Sequence, residues 1–598
     1  MNMIQERLNA LRKQMSRCHV DAWLIPSADY HGSEYAGEHF KIRAFMSGFT
    51  GSAGTLLVTD SWAGLWTDGR YFIQAARQLQ GSGIELMPMG EPGVPTVEEY
   101  LAQNMEDSGC LGFDGRVVSV MEVRALEAAL QEKQIRFKAD EDLAGPLWTE
   151  RPPMPKNPAF LLGETYSGMS AKDKLAQLRQ DMKARGAQWH VMTALDEIGW
   201  LFNMRGNDIA CTPVVLAYAV IGMEQARLYI HQEVLDDGLR EQFRQLNVEL
   251  CSYDDILDGV KELKGKGKVL IDPYRTNYGI YQRIDAGQIV EGDNPCMLRK
   301  AVKNPTEMEN ERKAHLKDGA AMVKFLWWVK TNVGKIPMTE LTATAYVDQC
   351  RKEQEHFIDN SFSTIVAYGE HAAMCHYSAT EETSCPIEPR GLLLIDSGGH
   401  YLEGTTDITR TIALGPVTDE ERLHYTLVLK GMIALARARF LYGARGINLD
   451  YLARQPLWER GLDFLHGTGH GVGYLLGVHE SPNNFRWKMQ PGYGSAVLEE
   501  GMLTSDEPGY YEENSHGIRT ENLLLCRKDI KTQYGQFMSF ETVTMAPIDL
   551  EPVDFSLMTA EEINWLNAYH QEVYEKISPL VEPEAAAWLK EVTRPVAL

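Results

Sequence analysis

The chain has 598 residues, 44% hydrophobic and 24% charged, a globular balance on a length that exceeds one hydrophobic core, so several domains are expected. With 83 acidic against 59 basic side chains the formal charge is −24, which argues against nucleic acid or an anionic membrane surface as a partner. Nine cysteines, an odd number without a Cys-x-x-Cys spacing, point to free thiols in a reducing compartment. No stretch approaches the roughly 18 apolar residues that span a bilayer, and the charged N-terminal run has no signal-peptide core, so no membrane contact and a cytoplasmic location are expected.

In chain order, Ile4, Leu8, Leu11 and Met15 recur at helical spacing and predict an amphipathic helix over 3–17. A short buried strand follows at Ala22–Pro26, then a glycine-rich turn over 43–54, a strand at Thr55–Thr59 and a turn at Asp68-Gly69. The glycines of 43–54 lack Rossmann spacing, so they read as packing and not as a phosphate site. A second set repeats the order: a helix over 172–185, a strand at Trp189–Met192, the stretch 194–206, and paired strands at 214–221 and 226–231. The match implies a diverged duplication. Between the copies, the proline-rich run from Arg151 to Pro158 reads as a linker. Gly265-Lys-Gly-Lys268 lacks P-loop spacing and is a basic turn. A third unit opens near 300, where Asn304, Pro305 and Glu307 supply an N-cap, a first-turn proline and a capping-box acid. From about 550 the chain is helical and aromatic (Trp565, Tyr569, Tyr574, Trp588), a C-terminal extension on that unit. The expected division is 1–152, 153–298 and 299–598, in a mixed α/β (α+β) chain.

The chemistry concentrates around His466-Gly-Thr-Gly-His470-Gly-Val-Gly473, where glycines at 467, 469, 471 and 473 let backbone and ligands approach His470 closely. Carboxylates stand in strand-like contexts on either side: Asp396 and Asp407 upstream, Glu507 and Glu521 downstream. Each alone reads as a turn former or a loop residue. Together they are costly to bury unless paired or metal-bound. The glycines 398, 399 and 404 between Asp396 and Asp407 suit a hairpin that puts both on one sheet face. Pro508 holds Glu507 extended, and Arg519 and Glu521 alternate with Ile518 and Thr520 on one strand face. Four carboxylates balance two divalent cations, which can share a hydroxide and polarise a carbonyl; oxygen-rich ligation with one imidazole suits manganese, cobalt or zinc.

This set resembles the pita-bread metallopeptidases, the group holding methionine aminopeptidase, prolidase and aminopeptidase P. The family's Asp, Asp, His, Glu, Glu order falls on Asp396, Asp407, His470, Glu507 and Glu521. The resemblance implies a pita-bread catalytic domain binding two divalent ions, with manganese the favoured metal. It also implies substrate-site roles for His376 and His479, a supporting role for His466 and an active-site role for Arg519. Glu507 is expected to double as proton shuttle, because a carboxylate bound to metal through one oxygen can still pass a proton from water to the leaving nitrogen. Arg519 has a plainer reading as the ion-pair partner of a ligand carboxylate. Two related front units, with 43–54, 66–71 and 194–206 in them, resemble the long, three-domain form of aminopeptidase P, with creatinase-like domains before the catalytic one. That form implies hydrolysis of the N-terminal Xaa-Pro bond of peptides with proline second, by a homodimer. A prolidase-like dipeptidase on the same scaffold stays open. So does a metal-free pita-bread binding module, against which the intact ligand set speaks.

Overall fold

The computed structural model describes residues 3–489 and 496–597. The chain folds as two compact units, Met1–Leu161 with Met169–Cys296, and Leu162–Gly168 with Met297–Leu598.

The first unit contains the same sheet twice. Its first copy has β1 (Ala22–Pro26), β2 (Thr55–Thr59), β3 (Ala63–Thr67), β4 (Glu85–Pro88), β5 (Cys110–Phe113) and β6 (Arg136–Lys138), in the order β4-β3-β2-β1-β5-β6. The second has β7 (Trp189–Met192), β8 (Ala217–Gly222), β9 (Ala226–Ile230), β10 (Val248–Ser252), β11 (Val269–Ile271) and β12 (Ile289–Glu291), in the order β10-β9-β8-β7-β11-β12. Strand directions agree as well: the first hairpin pairs are antiparallel and the outer pairs parallel in both copies. The duplication expected from element order is therefore a duplication of topology.

Period-two alternation buries both faces of the first sheet. Trp23 and Ile25 join Leu8, Leu11 and Met15 of the first helix in one core, while Ala22 and Leu24 join Leu101, Leu111 and Leu126 in another. The glycine-rich stretch departs from a plain turn: it opens with the helix Ile42–Ser47, which ends on Gly48 at φ 76°. Arg43 then donates to the carbonyls of Phe49 and Gly51, folding the following loop around a guanidinium.

The proline-rich run does not leave the two copies free of one another. Arg151 Nε donates to His39 O at 2.8 Å and Asn157 N to Asp208 Oδ1 at 2.9 Å. The copies also meet directly: His31 contacts Thr193 O at 2.9 Å and Tyr253 OH at 2.7 Å, and Asn277 Nδ2 donates to Tyr30 O at 2.8 Å. A proline-rich composition reports extended backbone, and tertiary contacts decide whether that backbone is loose.

The second unit is built on the helix Pro305–Asn332, which starts on the expected Asn304–Glu307 capping box. Beside it lie a three-stranded antiparallel sheet (Ile365–Tyr368, Leu392–Ser397, Ile408–Ala413) and a six-stranded one that includes Gly469–Gly471, Glu480–Phe485, Leu503–Asp506 and Asn522–Thr532. The chain beyond 550 is more than an appendage. Leu566, Tyr569, Val573 and Ile577 of the helix Ala560–Ile577 share one core with Met432, Ile433 and Leu524. Each such side chain contributes about 1.5–3 kcal/mol by burial.

Candidate metal centre

Asp396 pairs with Thr409 across the strands Leu392–Ser397 and Ile408–Ala413. Asp407 precedes the second strand by one residue and is two before Thr409, so it is the diagonal neighbour of Asp396 on the same face. The hairpin expectation holds. In the other sheet the last pair between Leu503–Asp506 and Asn522–Thr532 is Asp506 with Asn522. Glu507 and Glu521 stand just beyond it, side by side. Sequence alternation put Arg519 and Glu521 on one continuous strand. The strand His516–Arg519 instead ends at Arg519 and the next starts at Asn522, yet both side chains reach one hydroxyl: Arg519 Nε donates to Thr409 Oγ1 at 3.2 Å, and Thr409 Oγ1 donates to Glu521 Oε2 at 2.8 Å.

His470 lies on Gly469–Gly471 between these elements. Its glycine neighbours are there for close approach: a Cβ at Gly469 would meet Ser505 O at 1.8 Å, and one at Gly471 would meet Glu480 O at 2.4 Å. His470 Nδ1 donates to Gly471 O at 2.9 Å, which turns Nε2 towards the carboxylates. Nε2 is 3.4 Å from Asp407 Oδ2 and 3.3 Å from Glu507 Oε1. These separations exceed an ordinary hydrogen bond. They match the edges of about 3.0–3.4 Å between ligands that sit about 2.1 Å from one cation. Asp407, His470 and Glu521 offer ligand atoms within 4.8 Å of one another.

The electrostatics also call for a cation. Burial first, and then Asp407, raise the Asp396 and Glu521 carboxyls, with Glu507 adding to the rise at Glu521 and Arg519 opposing it at Asp396. Burial and Asp407 likewise raise Glu507 against the pull of His470. Burial pushes the His470 imidazole down, but Asp407 and Glu507 outweigh it and hold it at about 9. Asp396 Oδ1 and Glu521 Oε1 are buried without a hydrogen-bond partner. Unpaired oxygens, crowded carboxylates and one imidazole fit hard or borderline divalent ions. A second group, Glu340, His371 and Cys385, also has ligand atoms within 4.8 Å of one another. There His371 Nδ1 lies 2.9 and 3.1 Å from the two oxygens of Glu340, and Tyr377 OH donates to Oε2 at 2.8 Å. That geometry is hydrogen bonding.

The remaining expected residues surround the cluster. Arg519 forms an ion pair with Asp396, the plainer of its two sequence readings, and its Nη1 donates to Tyr511 OH at 2.7 Å. Because an arginine only donates, the Tyr511 proton points to His466 Nε2 at 2.8 Å, and His466 Nδ1 donates to Gly467 O at 2.7 Å. Both ring nitrogens of His466 are thus used inside the protein. Burial and the Arg519 charge push its imidazole down to about 3, so it is neutral. The His479 ring stands edge-on to His470, centroids 4.2 Å apart at 73°. His376 follows Cys375, whose carbonyl accepts from Arg519 Nη2 at 3.5 Å. Sequence reasoning missed Thr409, Tyr511 and Ser505, whose hydroxyl accepts from His470 N and donates to Glu507 Oε1 at 3.0 Å. It also missed Asp506, fully buried with neither oxygen partnered.

Known proteins share this chain's sequence and fold. Residues 309–528 match metallopeptidase family M24 and 536–596 the C-terminal region of peptidase M24, while 7–141 and 150–307 each match a creatinase/prolidase N-terminal domain. A probable Xaa-Pro aminopeptidase P of Tuber melanosporum is 40% identical over 99% of both chains, and aminopeptidase P1 of Arabidopsis thaliana is 36% identical over 100% of both. The crystal structure of an X-prolyl aminopeptidase from Caenorhabditis elegans, a cytosolic enzyme with a di-nuclear active site, superposes with a TM-score of 0.96 at 34% identity over 100% of both chains. An Xaa-Pro dipeptidase from Bacillus anthracis shares the fold over 64% of this chain and 99% of its own, with a TM-score of 0.50 at 23% identity. Two creatinase-like domains therefore precede a pita-bread metallopeptidase domain, and the chain belongs to the aminopeptidase P group of metallopeptidase family M24.

Proposed function

We propose that this metallopeptidase removes the N-terminal residue from peptides with proline in second position, holding two divalent cations with Asp396, Asp407, His470, Glu507 and Glu521. The observation that carries the reading is the ligand-edge spacing of His470 Nε2 to Asp407 and Glu507, with unpartnered oxygens on Asp396 and Glu521 beside it. Full-length likeness to Xaa-Pro aminopeptidases supports the substrate class over that of a dipeptidase. Manganese is the favoured metal on the family resemblance, with cobalt or zinc as alternatives that the same donor set of four carboxylates and one imidazole fits equally.

When bound, the cations supply electrophilic polarisation of the scissile carbonyl and make a water more acidic. The chain's residues do the rest. The Nδ1 bond to Gly471 fixes the His470 tautomer, and Thr409 fixes Glu521. Glu507, whose Oε1 is held by Ser505, is assigned to carry a proton to the departing proline nitrogen. His376 and His479 are assigned to the substrate, the second standing edge-on to His470, and His466 acts through Tyr511 and Arg519 as a positioning residue.

The three-part division at 152/153 and 298/299 is supported by the repeated sheet topology. A homodimer is supported by a cluster of exposed aromatics: Trp458 packs edge-on to Trp487 at 5.7 Å and near Tyr451 at 5.9 Å, all three at least 37% exposed. A cytoplasmic location fits the nine free cysteines. The test compares cleavage of an Xaa-Pro-Xaa peptide with that of an Xaa-Pro dipeptide, with and without chelator. Activity confined to the dipeptide, or indifferent to the chelator, sinks the reading.

A further inference from the structure

We propose that the C-terminal helix Ala560–Ile577 belongs to the catalytic apparatus, because Tyr569, acting through Arg410, positions the two chain segments that carry Asp407 and Glu521. Arg410 is completely buried, at 0% exposure. A guanidinium there is tolerable only if its five N–H groups find acceptors. Nε donates to Pro547 O at 3.0 Å, and Nη1 to Thr409 O at 2.9 Å and Glu521 O at 2.6 Å. Nη2 donates to Asn522 Oδ1 at 2.8 Å, Ala546 O at 2.9 Å and Tyr569 OH at 2.9 Å. Among the described residues every one of these acceptors is neutral.

The two carbonyls on Nη1 belong to the residues whose side chains already meet, Thr409 Oγ1 with Glu521 Oε2 at 2.8 Å. Glu521 N also donates to Thr409 O at 3.1 Å. One planar fork therefore fastens the strand that follows Asp407 to the segment that carries Glu521, at the point where two ligand-bearing sheets come together. Tyr569 closes that fork from outside both sheets. Its hydroxyl accepts from Nη2 and has Ala546 O at 2.8 Å and Thr544 O at 3.0 Å in reach for its own proton. A phenylalanine would fill the same core volume with no polar atom to satisfy, so packing alone does not call for the hydroxyl. Arg410 and Tyr569 touch no substrate; they are positioning residues.

The inference rests on the metallopeptidase reading above, and its test separates the two. Tyr569→Phe and, as a packing control on the same helix, Val573→Ala are compared with the wild type as full-length proteins. Hydrogen exchange over 519–523 is measured on metal-free protein, manganese retention by titration, and kcat and KM on an Xaa-Pro-Xaa peptide. Tyr569→Phe is expected to speed exchange at Glu521 and Asn522 and to weaken manganese retention about tenfold, the lower end for an outer-shell partner. It should lower kcat with KM little changed. Val573→Ala is expected to lower the melting temperature without those changes. Arg410→Lys keeps the charge and loses the fork, and should exceed Tyr569→Phe in every readout. Unchanged exchange and retention in Tyr569→Phe overturns the inference, as does the same pattern in Val573→Ala. A wild type without peptidase activity would refute the functional reading, while the exchange comparison would still judge the positioning role.

Discussion

Arg519 and Asp396 form a buried ion pair in which the guanidinium holds Oδ2 and Oδ1 is left without a partner. The same arginine donates to Tyr511 and Thr409, so one cation already stands among the four carboxylates. Removing it takes a positive charge away from bound cations, while the orientation of Asp396, Tyr511 and His466 is lost. Arg519→Ala is therefore expected to keep its metal and to lose turnover by about 10²-fold, the scale of a lost oriented donor. Metal analysis beside kcat checks this; metal lost in step with activity would assign Arg519 to building the metal site.

Asp407 is the carboxylate with the most consequences, because His470 and Glu521 both lie within ligand range of it. Asp407→Ala should abolish hydrolysis and lower bound metal. A variant with wild-type turnover removes Asp407 from the ligand set.

The His479 ring stands edge-on to His470, with centroids 4.2 Å apart at 73°. His479→Ala is expected to lose turnover by about 10²-fold with near-normal metal content, as for a donor to developing negative charge. Parallel loss of metal would make it a ligand support.

Thr409 is the hinge between the two sheets, accepting from Arg519 Nε and donating to Glu521 Oε2. Thr409→Val keeps the shape and strands both partners, at a cost of about 1–3 kcal/mol. The expected outcome is a lower urea midpoint and metal retention weaker by about 10–100-fold. A change in midpoint alone would mean that the hydroxyl serves only folding.

The carboxylates and His470 were legible in the sequence because burying a charge at a strand end, or clearing side chains around one histidine, leaves a local mark. Thr409, Tyr511 and Arg410 leave none. Thr409 meets Glu521 112 residues away and Arg410 meets Tyr569 159 residues away, and no spacing rule reaches across such distances. The duplication was visible as an order of elements, since hydrophobic period reports element type. The packing of the two copies together was not, because His31 and Tyr253 carry no periodic signature. The helix Ile42–Ser47 was hidden by the glycines that follow it, and the core role of Leu566 and Val573 by their place near the chain end, where composition suggests an appendage.

Acid is expected to destabilise the fold through its buried neutral histidines. His570 is 1% exposed, and its Nε2 accepts the Ile548 N–H at 3.1 Å. Burial, reinforced by the Arg410 charge, pushes its imidazole down to about 3, whereas an unfolded histidine titrates near 6.5. Below about 6.5 the unfolded chain takes up a proton that the folded chain refuses until about pH 3. Stability from this group is therefore complete above pH 6.5 and falls as pH drops through that window, by up to about 1.4 kcal/mol per pH unit. His466, held neutral in the same range by burial and Arg519, adds its own share. His570→Gln offers an amide oxygen to Ile548 and has nothing to titrate. Its urea midpoint should fall less steeply than that of the wild type between pH 6.5 and 4, by about one proton's worth, with the His466 share remaining. An unaltered slope would mean that His570 is protonated in the folded protein and that Ile548 N–H has another acceptor.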